Sequence, residues 1–142
     1  GPVFASDGAN LVTRMLGEMV SGQNLMVDNN LRGCPVASSD GARVISALLD
    51  QLSTGAELWG TYHYCSSETA THYEFAEAIL AAASQFSEFS ATAVELEPMD
   101  PDAQSLNRSL ECSKIRNTFA IKQQPWRNVI GDQVKLYFQQ QN

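Results

Sequence analysis

Positive charge is scarce in this 142-residue chain: nine lysines and arginines stand against sixteen acidic residues, a formal net charge of -7. Such a surface repels polyanions. Its densest basic group, Arg108, Lys114 and Arg116, is interrupted by Glu111, so no nucleic acid is expected as a partner. Long apolar runs are also missing. None approaches the roughly 18 residues that a membrane span needs, and the chain opens on Gly1-Pro2 without the basic segment and apolar core of a signal peptide. No membrane partner is expected. Cysteine is limited to Cys34, Cys65 and Cys112, an odd number at wide spacing. That argues against a disulfide framework and against paired zinc ligands, and it predicts reduced thiols in the cytoplasm. The nine glycines are scattered and never form a dinucleotide-binding fingerprint.

What is present is an ordinary share of hydrophobic residues, 44%, with only 18% charged. A chain of this size can bury a real core as one domain. Residues Pro2 to Phe4 can end a strand, and Asn10 can cap a helix over "LVTRMLGEMVSG", terminated near Gly22. "NLMV" reads as a short strand, and "DNNLRGCPVASSD" as a polar loop broken by Gly33 and Pro35. A second helix, capped by Ser38 or Ser39, carries Val44, Ile45, Leu48, Leu49 and Leu52 at helical spacing. "LWGTYHYC" reads as an aromatic strand. Thr71 and Glu74 then match a capping box for a third helix, with Tyr73, Phe75, Ala76, Ile79, Leu80 and Ala83 as its apolar side. "ATAVELEP" reads as a strand and "MDPDAQSLNRSLE" as a long irregular linker. A short helix "CSKIRNTF" and a final helix "PWRNVIGDQVKLYFQQ" follow, the latter with one broad, mostly apolar stripe from Trp126 to Phe138. Helices alternating with short strands make an α/β chain. The strands are too few for a free-standing doubly wound sheet, which predicts a lobe of a larger α/β protein.

Chemistry-bearing residues crowd into "TYHYCSSETATHYEF". On a strand His63 and Cys65 share one face, with Tyr62 and Tyr64 on the other. A zinc ion wants four ligands, or three and a water, and the nearby sequence does not supply them. Neither does the spacing create a Cys–His nucleophile. The reading preferred for this stretch is packing: Tyr62 and Tyr64 on one side of a sheet, Cys65 as a small buried hydrophobe, and Thr71 with Glu74 consumed in capping; a hydroxyl or imidazole that lines a ligand pocket without reacting is the alternative. Asp28, Asp40 and Asp50 read as isolated carboxylates in surface or capping roles, Glu95 and Glu97 as a solvated strand face, and Trp59 and Trp126 as packing anchors. The segment that leans towards function is "NNLRGCPVASS": Gly33 and Pro35 restrict the backbone, and Arg32 offers a donor fork suited to phosphate or carboxylate. Arg108, in "SLNRSLE", offers a second. Two arginines on segments flanking a cleft can neutralise a diphosphate; ordinary surface positions are the alternative.

"ANLVTRMLGEM", "NNLRGCPVASSDGARVI", "LWGTYHYCSSETATHYEFAEAIL", "NRSLECSKI" and "PWRNVI", taken in order, cover nearly the whole chain. Together they resemble the C-terminal half of the dTDP-4-dehydrorhamnose reductase family, which are extended short-chain dehydrogenase/reductase enzymes. The resemblance implies a C-terminal substrate-binding lobe without the complete Rossmann sheet. In that family an N-terminal Rossmann domain binds NAD(P)H, and a 4-keto sugar nucleotide is reduced by a tyrosine and lysine four residues apart with a serine or threonine. None of that is here: Lys114, Lys122 and Lys135 follow Leu110, Thr118 and Gly131 at that spacing. The resemblance therefore implies no catalytic, cofactor-binding or metal residues in residues 1–142, with NAD(P)H used by a parent protein whose Rossmann domain is a partner of this lobe.

Gly33 and Pro35 match the family's Gly-x-Pro turn, and Asn107 matches the asparagine of its Arg-Pro-x-Asn-Ser stretch. Leu110, Cys112, Ser113 and Lys114 match the segment before a short C-terminal helix. Gln104 and Ser105 stand where that Arg-Pro would be, Leu31 where a glutamine is usual, and His72 where a tryptophan is usual. Arg32, Gly33, Pro35, Gln104, Asn107 and Arg108 are thus the implied substrate-binding residues, with Arg108 standing in for the lost arginine. The expected function is to hold the sugar nucleotide for an NAD(P)H-dependent reductase or epimerase, inactive alone. A non-catalytic binding or regulatory module is the alternative, and a homodimer that covers exposed apolar surface is a further expectation.

Overall fold

The computed structural model describes residues 2–98, 102 and 104–141. Its elements run β1 (Val3–Phe4), α1 (Leu11–Val20), β2 (Leu25–Val27), β3 (Leu31–Gly33), β4 (Val36–Ala37), α2 (Ser38–Ser53), β5 (Ala70–Thr71), α3 (His72–Ala83), β6 (Val94–Leu96), β7 (Leu106–Asn107), α4 (Ser113–Phe119) and α5 (Arg127–Gln140). The α/β alternation is as expected. The strands form three small sheets: β1 parallel to β4, β2 parallel to β6, and a three-stranded sheet ordered β5-β3-β7.

Helix ends follow the local chemistry. Asn10 Oδ1 accepts the Val12 and Thr13 N–H groups at 3.0 and 3.3 Å, while Thr13 Oγ1 accepts the Asn10 N–H at 3.1 Å, so the first turn of α1 is satisfied. Gly22, at φ +78°, ends it as glycine can. At α3, Thr71 Oγ1 accepts the Glu74 N–H at 3.1 Å and Glu74 Oε2 accepts the Thr71 N–H at 2.9 Å, completing the expected capping box.

Helix α3 is central, packing on α5, α1 and β6. Its Phe75, Ala76, Ile79 and Ala83 meet Val12, Met15, Leu16 and Met19 of α1 and Ile130 and Val134 of α5 in the larger core cluster. Phe75 stands edge-on to Trp126 and Phe4, with ring centroids 5.0 and 5.5 Å apart. Each such buried side chain contributes roughly 1.5–3 kcal/mol relative to exposure. A second cluster gathers Cys34, Val36, Val44, Cys65, Cys112, Ile115, Phe119 and Ile121. The three thiols are free and buried, and Cys65 Sγ lies 3.8 Å from Cys112 Sγ. Burial, and then the neighbouring Cys65, push the Cys34 and Cys112 thiols up to about 11.

Several local expectations are overturned. The stretch 28–40 is no simple loop: it contains β3 and β4, whose partners lie far away in sequence. Neither Ser38 nor Ser39 caps α2; Ala37 occupies the cap without a side-chain bond, and both serines are helical. On α2 only Val44 is buried, while Ile45 and Leu49 are each 60% exposed. "LWGTYHYC" forms no strand, because its tyrosines are tied by side chains rather than by a ladder. Tyr62 Oη donates to Leu58 O at 2.9 Å, and Tyr64 Oη donates to Asp40 Oδ2 at 2.5 Å. The shared face assigned to His63 and Cys65 fails with it: His63 is exposed and Cys65 buried. Trp126 does anchor the core, but Trp59 is 79% exposed. The linker 99–111 contains β7; its residues 99–101 and 103 lie outside the described residues. Among the described residues no helix is long and apolar enough to cross a membrane.

Candidate functional site

The three-stranded sheet converges its loops on one cavity. Asp28 starts the construction: its Oδ1 accepts the N–H groups of Asn30 and Leu31 at 3.0 and 2.9 Å, turning the chain into β3. In β3, Arg32 sits opposite Thr71 of β5 on one side and Asn107 of β7 on the other. The Arg108 N–H donates to Arg32 O at 2.8 Å. The backbones of two arginines 76 positions apart are thereby tied together.

A cavity of about 410 Å³ opens at this junction. Leu11, Leu31, Ala70 and Phe75 supply apolar wall, Gly33 and Pro35 supply backbone-rich wall, and Arg32, Arg108, Thr71 and His72 supply the polar groups. A wall of this mixed kind, mainly apolar with a few convergent polar groups, suits a small organic ligand carrying charge. Arg32 Nη2 lies 3.1 Å from Glu74 Oε1, and its Nη1 donates to Thr69 Oγ1 at 3.2 Å, so two of its five N–H donors are already engaged. No ion pair among the described residues ties the Arg108 guanidinium. A Cβ built on Gly33 would meet nothing within 4 Å, so packing does not require glycine there.

Charge states around the cavity follow from these contacts. The Thr71 N–H lowers the Glu74 pKa most; slight burial opposes it, and Arg32 adds to the lowering. Asp28 is pushed up by burial, but the Leu31 N–H, the His72 imidazole and the Asn30 N–H together hold it below its ordinary value.

Of the residues expected at a substrate site, Arg32, Gly33, Pro35 and Arg108 line the cavity together. Gln104 and Asn107 are exposed and are not among the lining residues; Asn107 Oδ1 accepts the Ser109 N–H at 3.0 Å. Two carboxylates read as isolated are not. Asp40 accepts from Arg43 Nε at 2.8 Å and from Tyr64, and Asp28 Oδ2 lies 2.9 Å from His72 Nδ1. Sequence reasoning did not place Asp28 with His72, since no local spacing joins residues 44 apart. The one local signal that could have found the pair is a histidine at the first position of α3. Among the described residues, no group of three or more His, Cys, Asp or Glu side chains is placed to hold a metal ion. Positive-φ glycines fall singly, at Gly8, Gly22, Gly55 and Gly60, and form no glycine-rich turn from strand to helix.

The sequence model of the RmlD substrate binding domain matches residues 1–138. The chain belongs to that family. Solved structures agree in fold. A dTDP-4-dehydrorhamnose reductase of Clostridium acetobutylicum superposes with a TM-score of 0.73 at 20% identity, over 96% of this chain and 46% of that one. The dTDP-4-dehydrorhamnose reductase of Bacillus anthracis, in complex with NADP, gives 0.65 at 18% identity, over 97% and 46%. A UDP-glucose 4-epimerase of Thermotoga maritima, with UDP-glucose, gives 0.66 at 12% identity, over 99% and 44%. This RmlD-type domain thus spans less than half the length of these relatives and has the fold of the C-terminal lobe of extended short-chain dehydrogenase/reductases. No curated protein matches the chain.

Proposed function

We propose that this domain holds the sugar nucleotide for an NAD(P)H-dependent oxidoreductase of the dTDP-4-dehydrorhamnose reductase type, and that its 410 Å³ cavity is where the ligand is held. The observation that carries the reading is the tethering of Arg32 and Arg108 at one mixed apolar and cationic cavity. A diphosphate supplies the acceptors such forks match, and a sugar or base covers apolar wall. Gly33 supports the same reading, since the open space at its missing Cβ lets a ligand approach the backbone. The hydride donor, the tyrosine and the lysine belong to a Rossmann half of the parent protein, in the cytoplasm. Residues 1–142 alone bind without reducing, contributing position rather than proton or hydride transfer.

The test is calorimetric titration of the protein with dTDP-glucose. Arg108→Ala should weaken binding about tenfold, the low end for a charge-assisted hydrogen bond because the site is open to water. Gly33→Val should weaken it by filling the approach to the backbone. Absence of heat from the wild type would defeat the reading. A second reading, a binding or regulatory module, is favoured by one observation: Glu74 already neutralises Arg32. That reading expects the parent protein to lack reductase activity with dTDP-4-dehydrorhamnose.

A further inference from the structure

His72 stands at the cavity wall with its side chain 37% exposed. Its Nδ1 is 2.9 Å from Asp28 Oδ2, while Asp28 Oδ1 is occupied by the Asn30 and Leu31 N–H groups. Asp28 is ionised at neutral pH, as its lowered pKa requires, and a carboxylate only accepts. The proton in this contact therefore belongs to Nδ1, and in the neutral form of the ring Nε2 is a bare acceptor. Nothing among the described residues donates to that nitrogen. The other polar side chains of the cavity are committed differently. Arg32 and Arg108 can only donate, and the Thr71 hydroxyl already accepts the Glu74 N–H.

We propose that His72 Nε2 accepts a hydrogen bond from a hydroxyl of the ligand's sugar, and that Asp28 is the positioning residue that fixes the required tautomer. This rests on the sugar-nucleotide reading and divides the cavity further: the arginines take phosphate oxygens, and His72 takes a neutral hydroxyl. A tryptophan at this position could only donate through its indole N–H. Histidine held by Asp28 thus selects for a donor where tryptophan would select for an acceptor.

Asp28→Asn tests the positioning role without deleting the turn. The Asn30 and Leu31 N–H groups require an oxygen at the Oδ1 place, so the amide nitrogen must take the place facing His72. That nitrogen donates to Nδ1, which moves the ring proton to Nε2 and turns the acceptor into a donor. Nitrogen-15 NMR reads the change directly, and the only other histidine is His63. The expected result is a bare Nε2 in the neutral ring of the wild type and a protonated one in D28N. In titrations, D28N and His72→Phe should each weaken dTDP-glucose about three- to tenfold, the worth of one hydrogen bond between neutral groups, and leave dTDP unchanged. If the wild type binds dTDP-glucose and neither substitution alters it, or if Nε2 of the neutral wild-type ring already carries the proton, this proposal is overturned alone. If the wild type binds neither compound, the sugar-nucleotide reading falls and takes the proposal with it.

Discussion

Replacing Glu74 by glutamine separates the structural from the ligand-facing work of one carboxylate. Glu74 Oε2 accepts the Thr71 N–H at 2.9 Å, and Oε1 lies 3.1 Å from Arg32 Nη2. A glutamine keeps the first bond through its amide oxygen and must then turn its amide nitrogen towards the guanidinium. The loss is therefore an ion pair plus a negative charge in the first turn of α3. Both side chains are about two-fifths exposed, 38% and 40%, so the pair contributes up to about 1 kcal/mol and is screened by water. The charge at the helix N-terminus adds roughly 0.3–1 kcal/mol, and the same exposure favours its lower end. Together E74Q should cost about 1 kcal/mol at pH 7, or about 4 °C in Tm for a domain of this size. Because the folded-state pKa of Glu74 is depressed, its contribution is full above the unfolded value near 4.3 and is lost as pH falls through the folded one. Urea denaturation of wild type and E74Q should thus differ by about 1 kcal/mol at pH 7 and converge as pH falls below the depressed folded-state pKa. Equal stability at pH 7, or a gap that persists in acid, would refute the reasoning. The freed Arg32 should also raise affinity for dTDP-glucose, by up to about fivefold.

Phe75→Ala removes a ring packed on both Phe4 and Trp126 and should cost about 3–5 kcal/mol, read by chemical denaturation; a cost below 1 kcal/mol would contradict the packing described. Asp40→Asn should lower the Tyr64 pKa from about 12, where burial and then Asp40 hold it, and ultraviolet titration of the phenol reports the shift. Ala120 ends α4 at φ +55°, so Ala120→Gly should stabilise by about 0.5–1 kcal/mol, measured as a higher denaturation midpoint.

The helices were legible because their signals are local. Asn10 with Thr13, Thr71 with Glu74, and the stripe from Trp126 to Phe138 each declare a helix within a few positions. The strands of the site were not. β3, β4 and β7 are two or three residues long and exist through partners such as Thr71 for Arg32 and Leu106 for Leu31, so no alternation could accumulate in sequence. "LWGTYHYC" failed in the opposite direction: its aromatics carry strand propensity, yet side-chain bonds to Leu58 and Asp40 fix it as irregular chain. Arg32 and Arg108 could be suspected separately as donor forks, and their meeting required the sheet. Asp28 looked idle for the same reason, since its histidine arrives from the far side of α2 in the chain order.

The segment from Leu31 to Ala37 has an unusual position between the two hydrophobic clusters. Cys34 and Val36 belong to one, Ala37 to the other, and Leu31, Arg32, Gly33 and Pro35 look into the cavity. Substitutions at Cys34, Val36 or Ala37 would disturb a core, so selection for a new ligand is confined to the cavity-facing letters of this strip. Specificity can drift with least penalty at positions anchored outside both cores. Residue 72 is such a position, tied to Asp28 at the start of α3 and belonging to neither cluster.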